Sequence, residues 1–218
     1  MKAPRHALVL AAHADDETLG CGGTIAKLAR AGWRVDLVVV SDGVVTARGH
    51  RQDNRPHAEA AAAALGVAPP RYLGFPDQHF DRVSMLDLSQ ALVPFTDGPD
   101  LVLTHATTDL NVDHRRVSEA ARIAWRPLVR AVSILEFEIP ASAQWNGTAF
   151  AANYFVDIST TLDAKLVALA AYTAESRPPP HPHSGESVQN LARLHGSSAA
   201  TTAAEAFRLV RGFEGQLP

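Results

Sequence analysis

Short runs of apolar residues alternate along the chain with segments whose apolar positions recur at helical spacing. The runs are typical of buried β-strands and span residues 6–12, 34–41, 71–74, 100–104, 132–138 and 153–158. The helical patterns span residues 18–31, 55–65, 84–96, 113–129, 161–175, 184–195 and 201–212. This alternation predicts an α/β fold with a mostly parallel sheet and helices on both of its faces.

The length and the pattern indicate one domain that covers residues 1–218. Within it, residues 175–187 form a proline-rich segment that cannot be helical throughout. This segment is either a linker or a loop that covers a site. The last three helical patterns are expected to pack on the same sheet as a C-terminal subregion.

Polar residues follow four of the predicted strands. In a parallel sheet with right-handed crossovers the carboxyl ends of the strands meet at one edge, where ligands bind. We therefore expect these four groups to lie together. They are His13-Ala14-Asp15-Asp16, Ser41-Asp42-Gly43, Gly74-Phe75-Pro76-Asp77, and the stretch from Thr104-His105 through Asp109 and Asn111 to Asp113-His114. The Ser41 and Phe75 groups are read first as turns.

The first of these groups crowds one imidazole and two carboxylates into the turn between a strand and a helix. Asp15 and Asp16 would repel each other there, and a cation or a shared proton would relieve the repulsion. The alternative is that the two aspartates cap the helix that follows. The turn lacks the Gly-x-Gly-x-x-Gly pattern, and its acidic residues would repel a pyrophosphate, which disfavours dinucleotide binding.

Two histidines and one carboxylate are a suitable ligand set for zinc with an open position for water. His13 and Asp16 stand three residues apart, close enough to share one ion across a turn. The third ligand must come from elsewhere, and His114 is the first candidate because it opens a helix after the fourth strand. His105 is its competitor. Asp113 is either part of this site or the N-cap of the helix that begins near His114.

Composition narrows the class of partner. The formal charge of −3 gives no electrostatic reason to expect binding to nucleic acid. No apolar run is long enough for a membrane span, and the start of the chain does not read as a signal peptide. The single cysteine, Cys21, excludes an intrachain disulfide and is typical of a reducing, cytoplasmic location. A homo-oligomer remains compatible with the sequence.

In these residues the chain resembles the PIG-L/LmbE-like family of zinc-dependent de-N-acetylases. The family motif His-Pro-Asp-Asp-Glu stands here as His13-Ala14-Asp15-Asp16-Glu17, followed by Gly-Cys-Gly-Gly-Thr at residues 20–24. The second metal motif of the family ends in Asp-His, here within Asp113-His114-Arg115. Weaker matches follow in the family's order: Ser41-Asp42-Gly43, Leu65-Gly66-Val67, Leu73-Gly74-Phe75-Pro76-Asp77, His181-Pro182-His183-Ser184 and Glu205-Ala206-Phe207.

The resemblance implies a Rossmann-like three-layer αβα sandwich and a metal-dependent amidohydrolase. By this resemblance His13, Asp16 and His114 bind Zn²⁺, or Fe²⁺ or Co²⁺ in the same ligand set, and Asp15 is the general base. The expected substrate is a small N-acylated molecule, above all an N-acetylated amino sugar or sugar-containing metabolite. The alternatives are a non-sugar amide, such as a thiol conjugate or an antibiotic intermediate, or a protein that binds a sugar or nucleotide without turnover.

The chain departs from the family at a position where many members carry a histidine that assists the oxyanion or the leaving group. Asn111 stands there, and an amide can donate a hydrogen bond but cannot shuttle a proton. Either Asn111 acts as a neutral donor, or His181 or His183 substitutes. With Asp15, the residues Asn111 and Asp113 are predicted to be catalytic, and the two histidines to bind substrate. Arg55 matches an arginine that faces the substrate in the family, although a surface salt bridge is the alternative.

Overall fold

The computed structural model describes residues 4–47, 50–126 and 130–218. Nine strands lie within these ranges, and seven of them form one sheet. The strands in chain order are β1 (His6–Ala11), β2 (Arg34–Ser41), β3 (Val44–Ala47), β4 (His50–Asp53), β5 (Arg71–Phe75), β6 (Leu101–His105), β7 (Ser133–Phe137), β8 (Tyr154–Asp157) and β9 (Ala204–Arg211).

The order of strands in the main sheet is β5-β2-β1-β6-β7-β9-β8. The first five of these are parallel, whereas β9 runs antiparallel to both of its neighbours. Strands β3 and β4 pair with each other in a separate antiparallel hairpin. The sheet is therefore mostly parallel, and β1 and β6, which deliver the polar groups at residues 13–16 and 105–114, are adjacent in it.

Helices cover both faces of this sheet. They are α1 (Asp16–Arg30), α2 (Arg55–Leu65), α3 (Met85–Leu92), α4 (Val112–Ala124), α5 (Ser142–Trp145), α6 (Leu162–Ala171) and α7 (Gly185–Ser198). Strand β1 illustrates the layering, since alternate residues of a strand point to opposite faces. Its residues Ala7 and Val9 pack in a core with α1, α2, α6 and α7. Its residues Leu8 and Leu10 pack in a second core with α3 and α4. The predicted three-layer α/β fold is confirmed.

The segment 201–212, predicted as a helix, is instead the strand β9. Its composition favours a helix, but its backbone lies between β7 and β8 and pairs with both, so partners distant in sequence determine its structure. The C-terminal subregion thus contributes two helices and a strand rather than three helices. The predicted helix 113–129 ends at Ala124, and its last three residues lie outside the described ranges. The hairpin at residues 44–53 was not predicted.

Helix α1 is interrupted at Cys21, where the backbone leaves helical geometry (φ −147°, ψ 23°). Just beyond this break, the backbone N–H groups of Gly23 and Thr24 donate to the two carboxylate oxygens of Glu205 at 2.9 and 2.7 Å. Lys165 forms a buried ion pair with the same carboxylate at 2.6 Å. A charged side chain from β9 therefore caps the second part of α1.

Within the described residues, no helix combines the length and the apolar character that crossing a bilayer requires.

Candidate metal centre and active site

Three buried side chains converge at the carboxyl edge of β1 and β6. His13 lies in the turn after β1, Asp16 opens α1, and His114 lies in the first turn of α4. The His13 Nδ1 and His114 Nε2 atoms are each 3.4 Å from Asp16 Oδ2, and they are 3.3 Å from each other. Atoms that bind one tetrahedral zinc ion at about 2.0–2.1 Å lie about 3.3–3.4 Å apart. The triangle therefore fits three ligands of a tetrahedral ion.

A carboxylate lies behind each of the two imidazoles. Asp113 Oδ2 is 3.1 Å from Nε2 of His13, and Asp109 Oδ2 is 3.1 Å from Nδ1 of His114. A carboxylate on the far nitrogen fixes the tautomer of a histidine and leaves the near nitrogen with its lone pair exposed, as in many metal sites. The two near nitrogens are those of the triangle. Sequence analysis did not single out Asp109 for this role.

The N-cap of α4 is Asn111, whose Oδ1 accepts the backbone N–H of Asp113 at 2.8 Å. The alternative that Asp113 caps this helix is thus wrong, because its carboxylate contacts His13 and accepts the N–H of Phe80 at 3.0 Å. With Oδ1 engaged, the Asn111 amide directs its NH₂ group towards Gln78 Oε1, at a long 3.5 Å.

His105, the competing ligand, lies fully buried under the ring of His114, with 4.1 Å between the ring centroids. Its Nε2 accepts the backbone N–H of Ala12 at 2.9 Å, which occupies the lone pair that a metal would need. Burial, helped by the charge of His114, lowers the pKa of His105 to about 3. His105, Asp109 and His114 form a second group of potential ligands, but this hydrogen bond makes His13, Asp16 and His114 the better set.

Asp15 occupies the N-cap position of α1, yet its side chain makes no capping hydrogen bond. Its backbone has φ 117° and ψ −27°, in the left-handed half that non-glycine residues rarely adopt. Its N–H donates to Glu17 Oε2 at 3.1 Å. The buried Glu17 carboxylate also accepts hydrogen bonds from Tyr172 Oη at 2.6 Å and Thr18 Oγ1 at 2.7 Å. Sequence analysis did not assign this supporting role to Glu17 or Tyr172.

The surroundings of the two neighbouring aspartates shift their pKa values in opposite directions. Burial opposes the ionised form of Asp16, but interactions with the imidazoles of His114, His105 and His13 outweigh it and lower the pKa of Asp16. Burial raises the pKa of Asp15, and the nearby charges of Asp16 and Glu17 raise it further. Asp16 is therefore suited to remain a carboxylate ligand, and Asp15 to accept a proton.

The imidazole of His13 lies between the carboxylates of Asp113 and Asp16. Burial lowers its pKa, but hydrogen bonds with Asp113 and Asp16 outweigh that effect, so the pKa is raised well above its ordinary value. The pocket thus stabilises positive charge at the position where the ligand atoms converge.

Two concavities are lined by residues that are neighbours of the triangle in the sequence. On the side of Asp15 there is a cavity of about 110 Å³, with an apolar wall from α1 and α6. On the side of Asn111 and Asp113 there is an open groove of about 440 Å³. The proline-rich segment forms part of the cavity wall through Glu175 and His183. Residues of the segment 175–187 therefore line this cavity, and the interpretation that the segment covers the site stays a prediction.

The remaining predicted substrate residues lie around this cavity or outside it. His183 lines it, donates from Nε2 to the carbonyl oxygen of Pro140 at 2.8 Å, and donates its N–H to His181 Nδ1 at 3.1 Å. Arg55 is half exposed and forms an ion pair with Asp53 at 2.7 Å. That pairing lowers the pKa of Asp53 to about 2. This ion pair is the surface salt bridge that the sequence analysis gave as the alternative role of Arg55. Contact of Arg55 with substrate stays a prediction.

Comparison with known sequences gives a family match over residues 8–125, to the family described as PIG-L, GlcNAc-PI de-N-acetylase. The uncharacterized deacetylase YaiS of Escherichia coli (strain K12) is 30% identical over 147 residues, which are 62% of this chain and 74% of YaiS. The family match over residues 8–125 contains His13, Asp16 and His114.

Solved structures share the fold over nearly the whole chain. The 4-carboxy-2-hydroxymuconate hydratase GalB of Pseudomonas putida KT2440 has a TM-score of 0.75 and 24% identity, covering 96% of this chain and 97% of its own. The N,N′-diacetylchitobiose deacetylase of Pyrococcus horikoshii has a TM-score of 0.70 and 23% identity, covering 94% and 84%. One architecture thus supports both a hydratase and a deacetylase.

Proposed function

The chain belongs to the PIG-L family of deacetylases, and we propose that it is a metal-dependent hydrolase that removes an N-acyl group from an amino sugar or sugar-containing metabolite. Acetyl is the expected acyl group. The observation that carries the proposal is the triangle of His13, Asp16 and His114, whose edges match a tetrahedral ion and whose two imidazoles are each backed by a carboxylate.

These three residues would hold the metal, for which zinc is the first candidate and Fe²⁺ or Co²⁺ are alternatives with the same nitrogen and oxygen ligands. When bound, such an ion supplies Lewis acidity, which polarises an acyl oxygen and makes water more acidic. Asp113 and Asp109 would position the two imidazoles through their far nitrogens.

Asp15 is proposed as the general base. Its carboxylate makes no hydrogen bond or ion pair among the described residues, and its raised pKa suits a group that takes up and returns a proton. It would accept a proton as the oxygen of water bonds to the acyl carbon. When the C–N bond breaks, it would deliver that proton to the nitrogen, giving a free amine and a carboxylate product.

Asn111 is proposed as a neutral hydrogen-bond donor to the negative charge that develops on the acyl oxygen. Its Oδ1 is engaged by the N–H of Asp113, so its NH₂ group remains to donate into the groove. His183 lies on the other side, in the wall of the cavity next to Asp15, and is proposed to contact substrate there.

Metal content and turnover of three variants test the ligands and the base separately. Asp16→Ala and His114→Ala should lose bound metal as well as activity. Asp15→Asn should keep the metal, and its turnover should fall about 10²- to 10⁴-fold, which is the contribution of general-base catalysis. Asp163→Asn, which removes an exposed carboxylate in the first turn of α6, is the matched control and should behave as wild type.

The substrate panel should contain N-acetyl and N-formyl amino sugars together with non-sugar amides. Release of amine from the sugars by the metal-loaded protein supports the proposal. Full metal occupancy and activity in both ligand variants would refute the ligand set, and near-wild-type turnover by Asp15→Asn would refute the base.

A further inference from the structure

Gln78, in the loop after β5, has a backbone conformation that glycine would normally adopt. Its φ is 58°, in the left-handed region that costs free energy for a residue with a side chain. Strained residues of this kind cluster at active sites and ligand contacts. The Gln78 side chain is therefore a candidate for a contact with a bound molecule, and the proposed reaction gives it no role.

The carboxamide of Gln78 lies between a proposed metal ligand and the open groove. Gln78 Nε2 is 3.3 Å from Nε2 of His13, and Gln78 Oε1 is 3.5 Å from Nδ2 of Asn111. Gln78 and Asn111 both line the groove of about 440 Å³, and Gln78 is exposed. The carboxamide is thus accessible from the groove at hydrogen-bond distance from His13.

Among the described residues, the NH₂ group of Gln78 meets donors but no acceptor. When Nδ1 of His13 faces a metal, its Nε2 carries a proton, which is donated to Asp113 Oδ2 at 3.1 Å. If the Gln78 amide is turned over, its NH₂ group faces that of Asn111 instead. The Asn111 amide cannot turn with it, because its Oδ1 accepts the N–H of Asp113. The NH₂ group of Gln78 is therefore available to a bound molecule.

The other polar groups of the groove determine which acceptor is suitable. Asp81 and Asp113 contribute carboxylates, Ser142 contributes a hydroxyl, and the described residues that line the groove include no cationic side chain. These negative charges disfavour a phosphate or carboxylate oxygen. A hydroxyl oxygen is neutral and can accept from Gln78, while its own hydrogen can be donated to the exposed carboxylate of Asp81.

We propose that Gln78 is a substrate-binding residue whose NH₂ group donates to a hydroxyl oxygen on the amine component, next to the carbon that carries the nitrogen. This inference rests on the proposed function, in which the adjacent Asn111 donates to the acyl oxygen. The two amides are in contact, so they would bind neighbouring parts of one substrate. In an amino sugar the hydroxyl groups at C1 and C3 flank the carbon that carries the nitrogen. Neutral, hydroxyl-bearing amines are therefore the substrate class.

Two substitutions separate the amide of Gln78 from the strain in its backbone. Gln78→Met keeps the length and the strain but removes the donor, so the Tm should stay unchanged. Gln78→Gly removes the donor and relieves the strain, so the Tm should rise by about 2–4 °C. Ala200→Gly is the matched control, because Ala200 has φ 56°, is exposed in the turn after α7 and lines neither concavity. It should raise the Tm similarly and leave activity unchanged.

The first measurement is the hydrolysis of N-acetylglucosamine and of its 1-deoxy and 3-deoxy analogues. Wild type and Ala200→Gly should lose about three- to tenfold in kcat/KM towards one analogue, the contribution of a neutral hydrogen bond. Both Gln78 variants should lose as much towards N-acetylglucosamine and no longer distinguish it from that analogue. Equal kcat/KM of wild type for all three substrates would overturn the assignment. Equal losses for all three in the Gln78 variants would also overturn it, since Gln78 would then act only through Asn111.

The second measurement does not depend on turnover, so it separates this inference from the proposed function. Calorimetry gives the affinities of the zinc-loaded protein for glucosamine and for its 1-deoxy and 3-deoxy analogues. Wild type should prefer one hydroxyl by about three- to tenfold, and both Gln78 variants should lose this preference. If no amide is hydrolysed but the preference is present, the proposed function fails and the role of Gln78 stands. If amides are hydrolysed and the preference is absent from both measurements, the role of Gln78 fails alone.

Discussion

Removing the hydroxyl group of Tyr172 should destabilise the protein measurably, although Tyr172 lies 155 residues from its hydrogen-bond partner Glu17 in the sequence. Tyr172 Oη donates to Glu17 Oε1 at 2.6 Å, and both side chains are almost completely buried. The same carboxylate accepts the N–H of Asp15, whose backbone is held in an unfavourable conformation. Tyr172→Phe keeps the ring and creates no large cavity, so it isolates the hydrogen bond.

The expected magnitude follows from burial and charge. A hydrogen bond to a charged group contributes about 1.5–3 kcal/mol, and a buried acceptor that loses a donor cannot turn to water instead. The hydroxyl of Thr18 and the N–H of Asp15 still reach the carboxylate, so the protein should remain folded. For a domain of this size the loss corresponds to a decrease in Tm of about 3–12 °C.

Equilibrium unfolding in urea, followed by circular dichroism at pH 7.5, measures this change in the free energy of unfolding. Tyr154→Phe is the control, because Tyr154 Oη donates at 2.7 Å to the main-chain O atom of Pro218 in a half-buried position, where water can replace the lost donor. Its loss should be smaller, about 1 kcal/mol or less. A change below about 0.5 kcal/mol in Tyr172→Phe would refute the view that the Glu17 cluster braces the turn.

Further predictions concern the supports of the site. Lys165→Met should cost about 3–5 kcal/mol of stability in urea, since Glu205 would remain as a buried charge, and adding Glu205→Gln should recover part of it. Burial and the charge of Glu205 raise the pKa of the Cys21 thiol, so at pH 8 a thiol reagent should react only on unfolding; equal rates in buffer and denaturant would contradict this. Gly20→Ala places a Cβ against the ring of Phe137 and should cost about 1–3 kcal/mol, whereas Gly185→Ala meets nothing within 4 Å and should stay within about 0.5 kcal/mol. Chelation should lower the Tm of the metal-loaded protein, and an unchanged Tm would count against a tightly bound ion.

The parallel part of the fold was predictable because its strands leave a local signal. Strand β1 is buried on both faces and reads as an unbroken apolar run, followed at once by its polar turn. Strand β9 leaves no such signal, since Ala204–Arg211 contains mainly residues that favour helices. Only its pairing with β7 and β8 makes it a strand, and no window of sequence contains those partners.

In the candidate site, too, some contacts were predictable from the sequence and others were not. His13 and Asp16 are close in the chain and follow β1, whereas His114 comes after β6. Because β1 and β6 are neighbours in the sheet, as the sequence analysis expected of the strand ends, the three side chains lie together. The contact of Asp109 with His114, and that of Tyr172 with Glu17, depend on side-chain directions that sequence spacing does not contain. The hydrogen bond from Ala12 that occupies His105 was likewise inaccessible from the pattern.

The position of β9 has a consequence for the order in which the protein is made. Strand β8 pairs in the sheet through β9 alone, and the carboxylate that caps the second part of α1 also comes from β9. During synthesis the parallel strands come before β9, so they can assemble while α1 still lacks its cap. A nascent chain halted before Glu205 should therefore carry every side chain proposed to bind the metal and still lack the carboxylate that caps the second part of the helix on which Asp16 stands.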